Sequence, residues 1–205
     1  MKKINYKILL VTCIVTLFPI ILGLIFYNKL PDTIAIHFDI NNNPNGYFSK
    51  NAFVFGMPVL MVALQLFSCV ISDVADKYPE ANRKMMVVGK WIIPILSIIL
   101  YIVTVMYAIG NKLDIRKIVM FILGILFVIM GNYLPKTKGN INLINKISEQ
   151  EYKKVSRIFG YFMILNGLLF LVSNLFSQYV SIFVVCLAIL EIVILCIYTI
   201  IKRKD

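Results

Sequence analysis

Few side chains in this sequence could do chemistry, and they sit in two places. His37 is the only histidine, and Asp39 follows two residues later. From Ile34 to Ile40, the apolar Ile34, Ile36, Phe38 and Ile40 alternate with Ala35, His37 and Asp39, the period of a half-buried strand. His37 and Asp39 then share one face, as half of a metal site would. No third His, Cys or Glu lies nearby, so a His–Asp hydrogen bond holding the loop is the expected role, and no metal is assigned. The second place is Glu191, between Leu190 and Ile192 in an apolar run, where a free carboxylate costs several kcal/mol. Protonation, or a hydrogen bond to Gln65, Asn132, Asn166 or a serine on a facing helix, is expected there, and an interhelical polar clamp is the favoured role. Gln65, Ser68 and Ser72 share a helical face that could meet it. No Ser–His–Asp constellation, HExxH pair or glycine-rich phosphate loop occurs, so neither an enzyme nor a cofactor is expected.

The elements that must position these groups are membrane spans. Hydrophobic residues make up 60% of the 205 positions and charged residues 15%, with mean hydropathy +0.86, more apolar surface than a soluble domain can bury. A span needs roughly 20 apolar residues. Six such stretches lie near Ile8–Tyr27, Ala52–Ser72, Trp91–Gly110, Ile118–Leu134, Ile158–Phe176 and Val180–Ile201. The expected fold is an all-α membrane protein, a single six-helix bundle over 1–205. The first run is too long for a signal h-region and lacks a cleavage site, so it reads as a retained helix. Cys13, Cys69, Cys186 and Cys196 all fall in spans and suggest no disulfide framework.

Charge sets the expected orientation. With the N-terminus inside, 16 of the 21 basic residues fall in cytoplasmic segments and five (Lys29, Lys50, Lys112, Arg116 and Lys117) outside, the positive-inside pattern. The net charge of +11 is therefore topological and implies no nucleic acid. Both termini are expected in the cytoplasm, with the His37 loop facing outward.

That loop, 28–51, is long enough to need a reason. Asn41-Asn42-Asn43-Pro44-Asn45-Gly46 is dense in turn formers, Asn-Gly suits a hairpin turn, and Tyr47, Phe48 and Ser49 could return as a second strand. The expectation is a β-hairpin lid on the bundle. On the inner side, Ser148-Glu149-Gln150-Glu151 fits a capping box and Glu149–Lys153 a helix surface pair, starting a helix that continues into span five. Lys153, Lys154 and Arg157 would then lie at the headgroups, where anionic lipid attracts them, or dock a cytoplasmic partner together with Lys136. Pro19, Pro58 and Pro94 should kink spans one to three, leaving carbonyls for neighbouring helices to satisfy. Gly124 and Gly131, like Gly160 and Gly167, recur seven residues apart, so spans four and five should pack through those faces.

Two stretches resemble known proteins. Leu30-Pro31, His37, Gly46-Tyr47 and Ser49-Lys50 resemble the outer-loop signature of a small bacterial membrane domain of unknown function. That domain often forms the front half of SdpI-family proteins, the immunity proteins to the sporulation-delaying toxin. Met130-Gly131-Asn132-Tyr133-Leu134-Pro135-Lys136 resembles the Gly-Asn-x-x-Pro-Lys box of the SdpI-type segment, placing that half at 118–201. The Arg-Thr-Pro-Trp motif that usually follows is replaced here, with Tyr152 and Ser156 where a Trp and a His would stand. The resemblance implies protection against a secreted toxin or bacteriocin, with His37, Asp39, Gly46, Tyr47 and Lys50 as contacts, and in the founding case a sequestered cytoplasmic regulator. The alternative reading is a small ion- or proton-coupled transporter using Glu191.

Overall fold

The computed structural model describes residues 5–74, 83–137 and 149–202. Five helices among them are long and apolar enough to cross a membrane: Tyr6–Lys29, Ala52–Asp73, Met86–Ala108, Ile115–Lys136 and Gln150–Ser173. A shorter apolar stretch, Gln178–Ile194, lies in the last helix. The chain is a multi-pass membrane protein whose described residues are mostly helical, with one small antiparallel hairpin among them. Its residues form two compact units, the first from Met1–Lys77 and Met86–Ile115, the second from Tyr78–Met85 and Arg116–Asp205.

In the first unit, α1 (Tyr6–Leu17) and α2 (Pro19–Phe26) make one span broken at the proline. Pro19 cannot donate to the Val15 carbonyl, and the Phe18 amide takes that carbonyl at 3.2 Å in a tighter turn. The hairpin of β1 (Thr33–Phe38) and β2 (Pro44–Ser49) follows. A π turn over Ala52–Gly56 leads into α3 (Met57–Val74), and α4 spans Arg83–Ala108. Leu30, Ile34, Phe53, Val54, Tyr101 and Val105 form the core beneath the hairpin, with the Phe53 and Tyr101 rings stacked at 4.5 Å. The lid expected from the alternating strand is therefore present, apolar side down.

Toward the other end the seam of this unit is polar. Thr12 and Thr16 on α1, Gln65, Cys69 and Asp73 on α3, and Lys90 on α4 are all buried. Gln65, Cys69 and Asp73 recur every four residues, which sets them on one helix face. Pro94 leaves the Lys90 carbonyl without its helical donor, and Gln65 Nε2 donates to that carbonyl at 2.8 Å. Gln65 also contacts Cys69 Sγ at 3.1 Å, so it is engaged within this unit rather than with Glu191. Gln65→Leu should cost about 1–3 kcal/mol by orphaning the carbonyl. The loss should shrink in a Pro94→Ala background, where an amide at 94 takes over. Thermal unfolding of the single and double variants checks this.

The second unit contains α5 (Ile115–Tyr133), a tight turn over Leu134–Lys136, α6 (Glu149–Ser173) and α7 (Gln178–Lys202). The helix expected to start near Glu149 and run unbroken into the membrane is α6; Ser148 of its capping box and the Glu149 side chain of the Glu149–Lys153 pair lie outside what is described. α5 and α6 cross with backbones in contact. A Cβ on Gly131 would sit 2.6 Å from the Gly160 carbonyl oxygen, and one on Gly167 2.7 Å from that of Gly124. The two glycine pairs thus pack as their spacing predicts. Met120, Phe170, Val184 and Ala188 fill the core, and the Phe127 and Phe170 rings meet edge-on at 5.1 Å.

Candidate functional site

The hairpin brings together the loop residues named from sequence, with a different turn. Thr33 pairs with Ser49, Ala35 with Tyr47 and His37 with Gly46, with irregularities on either side of His37. Asn45-Gly46 therefore lies inside β2, and the reversal spans 39–43. Asp39 decides this. Its Oδ1 accepts from the amides of Asn43 (2.8 Å) and Asn41 (2.9 Å), and its own amide donates to the Asn43 carbonyl at 2.8 Å. Asn42 takes the left-handed conformation at φ 66°, which asparagine tolerates. These local side-chain bonds outcompete the Asn-Gly turn.

Asn42 also anchors the tip. Its carboxamide donates to the Leu113 carbonyl at 2.9 Å and accepts from the amide of Ile115, the first residue of α5, at 2.8 Å. One asparagine thus satisfies a helix N-terminal donor that would otherwise lack a partner. Phe38 meets Tyr107 edge-on at 4.8 Å and adds a second attachment.

The expected His37–Asp39 bond is not formed, because Asp39 is committed to the turn. His37 Nδ1 pairs instead with Asn45 Oδ1, across the hairpin. Gly46 faces His37 so closely that a Cβ there would come within 2.9 Å of the histidine Cβ. This makes Gly46 a packing requirement. Lys50 closes the base, 3.4 Å from Asp32 and over the Tyr27 ring at 5.2 Å, with 19% of its side chain exposed. Tyr47 is 56% exposed, and His37, Asn45, Thr33 and Ser49 are exposed alongside it. These five residues form the accessible face.

Hydrogen bonds from the Asn43 amide, then from the Asn43 side chain and the Asn41 amide, hold the Asp39 carboxyl below the ordinary aspartate value of 3.8. A lowered folded-state pKa supports the turn above the unfolded value, and that support is lost as pH falls through the folded value. The Asn41 and Asn43 amide proton resonances should therefore shift together below pH 3.8 and stay constant above pH about 5. In Asp39→Ala this titration should vanish.

The intramembrane candidates separate. Asn166 Nδ2 donates to Glu191 Oε2 and to the Phe162 carbonyl, so the clamp expected at Glu191 is made by Asn166. Asn132 Oδ1 instead accepts from Lys136 Nζ at 3.2 Å, and the Lys136 ammonium lies 5.4 Å from the Tyr133 ring centre. Pro135 packs on Gly160 and Gly131 crosses it, so the Gly-Asn-x-x-Pro-Lys stretch serves the α5–α6 contact. Tyr152 hydrogen-bonds Thr137 at 2.9 Å, and Ser156 is buried. Lys153, Lys154 and Arg157 lie exposed on α6. Of Lys112, Arg116 and Lys117, Arg116 donates to Ser181 at 2.8 Å, and the backbone carbonyl of Lys117 accepts from Asn174.

One site was missed. From sequence, Lys90 counts among the 16 basic residues of the cytoplasmic segments. In the structure it is 4% exposed and ion-paired with Asp73, whose other oxygen accepts from the Asn5 amide at 3.2 Å. The four-residue spacing Gln65–Cys69–Asp73 was the available signal.

Residues 14–62, from α1 through the hairpin into α3, match the family model described as "Domain of unknown function (DUF1648)". No curated protein and no solved structure matches the chain.

Proposed function

We propose that this protein is a non-catalytic, SdpI-like immunity protein of the bacterial plasma membrane. It protects its producer against a secreted peptide or protein toxin met at the outer face. The single observation that carries this reading is the hairpin. Its turn is preorganised by Asp39 and its tip anchored by Asn42, and it presents Tyr47, His37 and Asn45 away from the apolar core. A rigid loop with an exposed aromatic suits recognition, since little ordering is lost on binding. The family match over 14–62 covers this same segment. The Gly131–Lys136 box, filling its place at the α5–α6 crossing, lends support to the SdpI-like half. In this reading both termini lie in the cytoplasm, and Lys136, Lys153, Lys154 and Arg157 would face the anionic headgroups or a regulator on that side. The transporter reading is weaker, because the Glu191 carboxyl is already clamped by Asn166.

The test is expression in a sensitive bacterium challenged with toxin-containing culture supernatant of the producing strain. Survival should rise relative to empty vector. Unchanged killing despite membrane insertion would sink the reading.

A further inference from the structure

The remaining question about Glu191 is what its second oxygen meets. Glu191 lies near the midpoint of the 25-residue α7. Ser181, Val184 and Ala188 form the buried stripe of that helix, and Glu191 continues it by three residues, which is how Asn166 reaches Oε2. Beyond the stripe the helix faces outward: Ile189, Leu190, Ile192, Val193 and Ile194 are between 40% and 56% exposed. Glu191 is half-buried at this border, and among the described residues nothing bonds its Oε1. Asn166 Nδ2 already serves Phe162 and Glu191, and its Oδ1 is buried without a partner among the described residues. Hydrocarbon cannot satisfy a carboxyl oxygen, so intramembrane polar groups pair with one another or with another helix.

We propose that a second copy of this chain supplies that partner, with the two Glu191 carboxyls meeting across a twofold axis. Two arguments single out a self-partner. A carboxyl that holds a proton is both donor and acceptor, so one residue type completes both halves of an isologous contact. Copies of a membrane protein inserted in the same orientation are related by an axis along the membrane normal, which keeps equivalent residues at equal depth. Glu191 therefore meets Glu191. Leu187, Ile194 and Tyr198 lie on the same side of α7 by helical spacing and supply the apolar surround. The proposal is independent of the immunity reading.

Counting photobleaching steps of the full chain, fused to a fluorescent protein and expressed sparsely in membranes, tests it. Wild type should bleach mainly in two steps. Glu191→Gln, whose carboxamide also both donates and accepts, should keep two steps, and Glu191→Leu should fall to one. Ile194→Trp, which leaves the Asn166–Glu191 bond alone and obstructs the same side, should lower the two-step fraction even if Glu191→Leu does not fold. Single-step wild type, persistent two-step bleaching in Glu191→Leu or Ile194→Trp, or equal loss in Glu191→Gln and Glu191→Leu would each overturn the proposal.

Discussion

Lys90→Met is expected to destabilise the first unit by roughly 3–5 kcal/mol, the range for removing one member of a buried ion pair. Asp73 would keep only the Asn5 amide among the partners the structure gives it, in a site where it is almost fully covered. Asp73→Leu should cost a similar amount for the converse reason. The double variant Asp73→Leu/Lys90→Met should recover most of the loss, because replacing both charges by apolar groups removes the desolvation penalty with them. A double-mutant cycle on thermal unfolding in detergent measures this directly. Additive losses would show that the two side chains are not paired. The pair ties α3 to α4 at the end opposite the hairpin, so its removal should leave the hairpin resonances in place.

The second large effect belongs to the α5–α6 crossing. Gly131→Val puts a branched side chain where even a Cβ would be 2.6 Å from the Gly160 carbonyl oxygen and 2.9 Å from the Ile164 amide. Overpacking usually costs about 1–3 kcal/mol. The upper end is expected here, because the obstruction is backbone, which cannot rotate away. Gly56→Ala is the matched control, since a Cβ at Gly56 meets nothing within 4 Å. Unfolding temperatures should separate the two variants clearly. A Gly131→Val protein as stable as Gly56→Ala would mean that the helices do not cross at these glycines.

Much of this architecture is legible in the sequence because bilayer physics writes it in long, periodic patterns. The apolar runs gave the spans, the seven-residue glycine spacing gave the α5–α6 crossing, and Pro19 marked the break between α1 and α2. Strand alternation predicted the hairpin, but its turn depended on short-range competition. Asp39 could bond two amides at once, and Asn42 could adopt positive φ, so the reversal settled before Asn45-Gly46. Lys90 was misread because charge counting treats every basic residue near a span end as solvated. Whether such a lysine turns inward depends on an acid from another helix, Asp73, seventeen residues away in sequence. Glu191 was recognisable as a carboxyl in an apolar run, whereas the choice of Asn166 over Asn132 required the tertiary fold.

The hairpin face as a recognition surface is tested most directly by the challenge assay with Tyr47→Ala and His37→Ala, alone and combined. Neither Tyr47 nor His37 belongs to the apolar core beneath the hairpin, so the variants should insert and express like wild type. Survival under toxin-containing supernatant should fall to the level of the empty vector in the double variant, while Thr104→Ala, on α4 outside the hairpin, stays protected. Full protection by the double variant at wild-type abundance would contradict the account.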